Sequence, residues 1–331
     1  MEVLMMQNIG ITTTIPVEII FSAGKVPVDL NNIFINHPAS GSYVDQAELK
    51  GFPRTVCGWI KGLYTTAMQI PDLEAIVAVT QGDCSNTHAL METWQTDGIK
   101  IIPFAYPYDR DPDLLAMQMQ KMALALGVSW DKVLEEKVKI DEVRALVWEI
   151  DQLTWKSNVV SGLENHIWQV SCSDFNGHYQ TFATEAENFL KEAKKRKPMA
   201  NDEIRLGFIG VPPIFTDFYP YLEEQNARVV FNEVQRQFTL PFPGKDITEA
   251  YRQYTYPYSV FERIADIKRE IAQRDLQGII HYTQSFCFRQ IEDIIIRKEL
   301  NIPVLTIEGD RPSPVDARTK MRIESFLEVL R

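Results

Sequence analysis

The sequence predicts an α/β protein of two Rossmann-like lobes, each a parallel sheet covered by helices, facing one another across a cleft. Three observations carry this. Strand-like apolar runs alternate with helix-like amphipathic runs, which is the pattern of parallel sheets with covering helices. The alternation comes as two series, separated by the basic run Lys191–Lys197 (KEAKKRK) and Pro198. The chain has 331 residues, 45% of them hydrophobic, enough to bury two cores. The expected domains are 1–200, an N-terminal α/β lobe, and 201–331, a C-terminal Rossmann-like lobe.

In chain order, residues 1–50 carry apolar stretches at Val17–Ala23 and Asn32–Ile35, then the polar segment HPASGSYVDQ. Strand-like runs follow at Ala75–Val79 and Ile99–Phe104, with helix-like runs at Thr87–Gln95 and Asp113–Leu126. A long amphipathic stretch from Asp131 to Trp155 reads as one or two helices. Lys191–Lys197 reads as a solvated helix end leading into a linker. The second series opens with the strand IRLGFIG from Ile204, a helix at Phe218–Gln225 and the strand ARVVF. The Tyr- and Pro-rich segment Gln237–Tyr258 is compatible with a channel lining, a subunit interface or an ordered surface excursion. Then come the helix Phe261–Arg274, the strand GIIHYT, the helix Arg289–Leu300, the strand PVLTI and a final helix Val315–Leu330.

The net charge of −11 argues against broad electrostatic binding of nucleic acid. No uninterrupted apolar run reaches about 18 residues, so no membrane span is expected. MEVLMMQNIG lacks the basic start and apolar core of a signal peptide, which makes the cytoplasm the expected compartment. GFIGVPP at 207–213 has neither the GxGxxG nor the GxxxxGK spacing, so direct ATP or NAD binding is not expected.

The four cysteines are Cys57, Cys84, Cys172 and Cys287, far apart and without a CxxC pair. In a reducing compartment they are either buried, inert thiols or ligands. Cys84 follows the strand run ending at Val79 and precedes a helix. Cys287 follows GIIHYT through the loop QSF and precedes another. Cys57, in FPRTVCGWIKGLYTTAM, also stands just before a helix. Ligands of open α/β sheets bind beyond the carboxyl ends of the strands. Helix N-termini there offer free N–H groups and a positive dipole end, which are expected to lower a thiol pKa and favour thiolate. If the lobes face each other, three thiolates converge in the cleft. Such a set serves an iron–sulfur cluster or zinc, though structural zinc usually takes closely spaced pairs.

The residues also resemble a known family. PVEIIFSAGKVPVDL, RTVCGWIKG with GDCSNTHALMETW, IRLGFIGVPP with RVVFNE, and GIIHYTQSFCFRQIEDIIIRKELNIPVLTIEGD with RTKMRIESFLEVL carry the likeness in order along nearly the whole chain. They resemble the 2-hydroxyacyl-CoA dehydratase D-component family, which also includes benzoyl-CoA reductase subunits and double-cubane cluster proteins. The resemblance implies a [4Fe–4S] cluster between the lobes, held by Cys57, Cys84 and Cys287; Cys172 matches no common family ligand and is either structural or a fourth ligand. It implies a reductive enzyme, a lyase or reductase, paired with a homologous or identical second subunit. A separate ATP-hydrolysing iron–sulfur activator would inject a low-potential electron, so that an acyl-CoA or small-molecule substrate is reduced or dehydrated at the cluster. Two alternatives accompany this: a homodimeric double-cubane [8Fe–9S] reductase of small molecules, and a non-catalytic cluster carrier or assembly scaffold. Oxygen-sensitive chemistry of this kind implies an anaerobic host. No CoA-binding signature is apparent, and the chain is short for a dehydratase subunit.

Around the cysteines, His88 stands one turn into the helix after Cys84 and is a candidate catalytic acid or a helix-packing residue. Arg54 and Arg289 flank cluster cysteines and are candidates to offset cluster charge. Arg289 is equally placed to pair along its own helix with Glu292 or Asp293. His281 reads as a core histidine. His166 and His178 lie near Cys172, where a metal site is a minor alternative. Glu308 and Asp310, at the end of the last strand, suit substrate positioning or capping.

Overall fold

The structure, a computed structural model, describes residues 7–199, 202–242 and 244–331. Two four-stranded parallel sheets form its frame. The first contains β1 (Asn8–Ile11), β2 (Val26–Asp29), β3 (Leu73–Gln81) and β4 (Ile101–Ala105), in the order β2-β1-β3-β4. The second contains β5 (Ile204–Ile209), β6 (Ala227–Asn232), β7 (Gly278–Gln284) and β8 (Val304–Gly309), in the order β6-β5-β7-β8. The two orders are the same. In each sheet the chain leaves the first strand to one side and returns to its other side for the third, so the loops after those two strands diverge and leave a crevice. Cys84 follows β3 and Cys287 follows β7, the strands at the two equivalent switch points.

The expected alternation is present, and three stretches are refined. β1 and β2 are four residues each, too short to show a period, and were not expected; Val17–Ser22 and Leu30–Asn36 are helices beside them. The Asp131–Trp155 stretch is a single helix, Trp130–Trp155. The helix expected at Arg289–Leu300 divides into a 3₁₀ turn, Phe288–Glu292, and a helix, Asp293–Glu299. The basic run straddles the end of the helix Tyr179–Ala193, with Lys195 paired to Glu192 at the exposed end.

The Tyr- and Pro-rich segment is not a surface excursion. Tyr251, Tyr254 and Tyr258 are buried in the first-sheet core with Ile9, Val77 and Phe104, so residues from the second series complete the first lobe. The reverse also holds, because Phe34 and Tyr43 pack in the second core with Leu206, Phe208 and Ile280. The aromatic rings supply large apolar areas, and the hydroxyls of Tyr251 and Tyr258 take internal partners. Tyr258 donates to the Tyr251 carbonyl at 3.1 Å. The Tyr106 hydroxyl donates to the Thr14 carbonyl at 2.9 Å.

One of these contacts is ionic and wholly buried. Glu18 Oε1 lies 2.6 Å from Arg144 Nη1, and Glu18 Oε2 lies 2.8 Å from the Tyr251 hydroxyl. This ties the helix Val17–Ser22 to the helix Trp130–Trp155 and to the tyrosine segment. A buried guanidinium without its carboxylate is costly, about 3–5 kcal/mol when one partner is removed. Glu18→Ala is therefore expected to lower the free energy of urea unfolding by about 3–5 kcal/mol. A loss below about 1 kcal/mol would show that Arg144 finds another partner.

Candidate functional site

A cavity of about 360 Å³ opens between the two sheets, within the range of small-molecule sites. Cys57, Cys84 and Cys287 all line it, together with the loop after β1 (Thr12, Thr13) and the loop after β5 (Val211, Pro212, Pro213). The three cysteines expected to converge are thus brought to one cavity, two from the first half of the chain and one from the second. They do not gather at a single point, since among the described residues no three His, Cys, Asp or Glu side chains are placed to hold one metal ion.

Each thiol is set by local backbone. Cys57 is the N-cap of the helix Gly58–Gln69, and the N–H groups of Trp59 and Ile60 lie near its sulfur without closing a side-chain cap hydrogen bond. The N–H of Asn86 lies near the Cys84 sulfur. Cys287 caps the 3₁₀ turn, with the N–H of Arg289 near its sulfur and again no side-chain cap hydrogen bond. Two glycines make the approach possible. A Cβ on Gly58 would lie 2.4 Å from the Asp310 carbonyl oxygen, so the helix behind Cys57 touches the second lobe through its backbone. Gly82, two residues before Cys84, has φ +97°, and a Cβ there would lie 2.7 Å from Pro257. Phe286, just before Cys287, holds φ +65° without being glycine, a strained conformation of the kind retained where surrounding structure imposes it.

The expected fall in thiol pKa does not occur. Burial disfavours thiolate and pushes Cys57 and Cys84 up to about 12. Burial also raises Cys287, where the Arg289 N–H and guanidinium act in the opposite direction. Removal from water outweighs the helix ends, because a thiolate loses more hydration than one or two N–H groups return. The thiols also feel one another, Cys84 responding to both Cys57 and Cys287.

Arg289 is buried beside the site. It donates to the Tyr256 carbonyl at 3.0 Å, and its guanidinium stands 4.4 Å above the Tyr256 ring. It pairs with Glu292 at 3.4 Å. Its charge partly offsets the burial that raises Asp83 to about 6. Tyr256 and Phe238, from the Tyr- and Pro-rich region, line the cavity. Arg54 points to solvent, 4.0 Å from Glu48, and is not in the cavity wall. His88 is exposed outside the wall, with Nε2 2.6 Å from the Thr80 carbonyl. Cys172 is buried in the first core, its sulfur 3.5 Å from the Trp168 carbonyl. His281 is a core residue, paired with Asp293 at 2.6 Å. Glu308 is exposed and accepts from Ser285 at 2.6 Å, while Asp310 holds the Gln284 amide through its carbonyl.

Two groups of residues in or at the wall carried no clear sequence signal. Asp29, at the end of β2, lines the cavity, and its N–H donates to Asp174 Oδ2 at 2.7 Å. Burial raises both acids, Asp174 to about 7. His166 lies in the wall on the helix Gly162–Val170 rather than at a metal site with Cys172. Its Nδ1 is 3.0 Å from the Tyr219 hydroxyl, which is 2.8 Å from Asn232 Oδ1. Burial pushes the imidazole down to about 3, so it is neutral at physiological pH. Only the folded crossing of the lobes brings these positions together.

No helix among the described residues is long and apolar enough to cross a membrane. The family model described as 2-hydroxyglutaryl-CoA dehydratase, D-component, matches residues 12–330. No curated protein matches the sequence.

The raised thiols have a direct readout. At pH 8 a thiol of pKa about 12 is thiolate in only about one molecule in 10⁴. In metal-free, folded protein, iodoacetamide labelling of Cys84 is expected to rise about tenfold per pH unit from pH 8 to 10. A rate that levels off by pH 9 would mean that the helix end dominates after all.

Proposed function

The chain belongs to the 2-hydroxyglutaryl-CoA dehydratase D-component family, and from that premise we propose that it is the cluster-bearing component of a reductive dehydratase or related reductase. In this reading Cys57, Cys84 and Cys287 hold a [4Fe–4S] group, and the substrate occupies the rest of the cavity. The supporting observation is the meeting of three thiols from both lobes in one cavity, each with a backbone N–H group near its sulfur.

The donor set fits the group. Three thiols from separate turns of one cavity are donors of the kind an iron–sulfur cluster takes, its irons each bound separately. The N–H donors and Arg289 would stabilise negative charge on the sulfurs, which tunes such centres. Three ligands would leave one iron open to a substrate oxygen. When bound, the cluster would supply one-electron reduction at low potential, the electron coming from an ATP-hydrolysing activator.

The chain's own residues prepare that setting. Trp59, Phe215, Phe218 and Phe238 present apolar surface to the cavity and limit water around a reacting molecule. Tyr256, held by Arg289, closes the wall between Cys84 and Cys287. Residues 1–200 and 201–331 would act as two ligand-bearing domains, one supplying Cys57 and Cys84 and the other Cys287. Beside Cys287, Phe286, Phe288, Ile291 and Ile294 are exposed apolar side chains, which favours a protein partner there, either the activator or a second subunit.

Iron and acid-labile sulfide, measured on anaerobically prepared protein, test the assignment. The wild type and Cys172→Ser are expected to carry about four of each per chain. Cys57→Ser, Cys84→Ser and Cys287→Ser are expected to lose most of both. Equal iron in all four variants, or iron lost only in Cys172→Ser, would refute the ligand set. Sulfide in excess of iron would favour the bridged double cubane.

A further inference from the structure

The chemistry of the cavity wall restricts what it binds. Its formally charged side chains are Asp29 and Asp83, both acids. The segments that contribute most of the wall away from the cysteines, 30–40, 162–178 and 211–224, contain Glu164, Asp174, Asp217, Glu223 and Glu224 and neither lysine nor arginine. The N–H groups that could hold an anion at the cysteine turns already face sulfur. A phosphate or carboxylate brought into this space would lose its hydration without a cation to replace it.

Among the polar groups of the wall, the Trp59 indole N–H has no partner among the described residues, and His166 has a free hydrogen-bonding position. Tyr219 gives its single proton to Asn232 Oδ1 at 2.8 Å. The 3.0 Å contact with His166 then requires the proton on Nδ1 of the imidazole, donated to the tyrosine oxygen. Gln235 Nε2 stands 3.3 Å from the same oxygen and 3.4 Å from His166 Nδ1, and with Nδ1 protonated it donates to the oxygen. This tautomer leaves a lone pair on His166 Nε2, which has no hydrogen-bond partner among the described residues. The half-buried His166 belongs to the cavity wall, between Leu163 and Ile167 of the same helix.

The geometry points to a cavity that takes an uncharged, largely apolar small molecule whose hydroxyl donates to His166 Nε2. The phosphates of a CoA thioester, and a second carboxylate such as that of a 2-hydroxyglutaryl group, find no cationic partner inside it. This rests on the proposed reductive function for what happens to the molecule, but binding itself is independent of electron supply.

Calorimetry on anaerobic holoprotein without activator tests it. The probes are the N-acetylcysteamine thioesters of 2-hydroxybutanoate, butanoate and 2-hydroxyglutarate, with 2-hydroxybutanoyl-CoA. The uncharged 2-hydroxybutanoyl thioester is expected to bind within about threefold of its CoA counterpart, and about tenfold more tightly than either the butanoyl or the 2-hydroxyglutaryl thioester. In His166→Ala the advantage of the hydroxyl is expected to vanish while butanoyl binding is unchanged, and His166→Gln, which keeps an acceptor, is expected to restore part of it. A merely structural role for His166 would weaken both esters alike. The inference is overturned if the CoA ester binds tenfold or more tightly with a salt-dependent advantage, if the hydroxyl preference survives in His166→Ala, or if no thioester binds. Iron and sulfide content in the same samples separates the two readings: full iron with no uncharged ligand bound defeats this inference alone, and missing iron with the ligand still bound defeats the cluster assignment alone.

Discussion

A chain of buried charges running from the second sheet to the edge of the first holds the site together. Glu233, at the end of β6, accepts the Gly210 N–H at 2.9 Å and the Arg263 Nε at 2.6 Å. Arg263 also pairs with Glu292 in the turn that Cys287 caps, and Glu292 pairs with Arg289. Arg289 reaches Tyr256, in the segment that fills the first core. Glu233 and Arg263 are each 1% exposed, so neither can return to water when the other moves. Arg263 between two carboxylates is therefore a rigid spacer, and removing any member leaves a buried charge. The spacer sets the distance of the Cys287 turn from the loop that carries Cys84.

The same exclusion of water explains the site's electrostatics. Three thiols pushed toward their protonated form are poor ligands until a cation displaces the protons, so cluster loading and proton release are one event. Once thiolate, the sulfurs keep the N–H groups that already face them. The His166 side of the cavity is neutral for the same reason, since burial keeps both the imidazole and Tyr219 uncharged. A cysteine end suited to electrons and a neutral polar-and-apolar end suited to an uncharged molecule share one enclosed space.

Much of this was legible in the chain. Two α/β series, and cysteines at corresponding strand-to-helix junctions, follow from periodicity and spacing, which are local. Four-residue strands such as Asn8–Ile11 carry too few positions for a period to show. The segment with tyrosines 251–258 left channel lining, subunit interface and surface excursion open because Tyr and Pro are ambiguous in composition, and only the crossing of the second half into the first lobe buries them. The thiol pKa direction was misjudged because a helix end is visible in sequence and the depth of burial is not. His166 and Tyr219 are 53 residues apart and join only across that same crossing. Arg54 and His88, close to cysteines in sequence, point away from the cavity because a turn or one helical step separates neighbours in sequence by faces.

The account depends on one place: a metal group bounded by Cys57, Cys84 and Cys287 between the sheets. Anomalous diffraction at the iron edge, on crystals grown and frozen without oxygen, locates it directly. One cluster-sized group of iron peaks, with a separate iron about 2.3 Å from each of the three sulfurs, is the predicted result. Iron placed at Cys172 or on the surface, with the three cavity thiols unliganded, would contradict it.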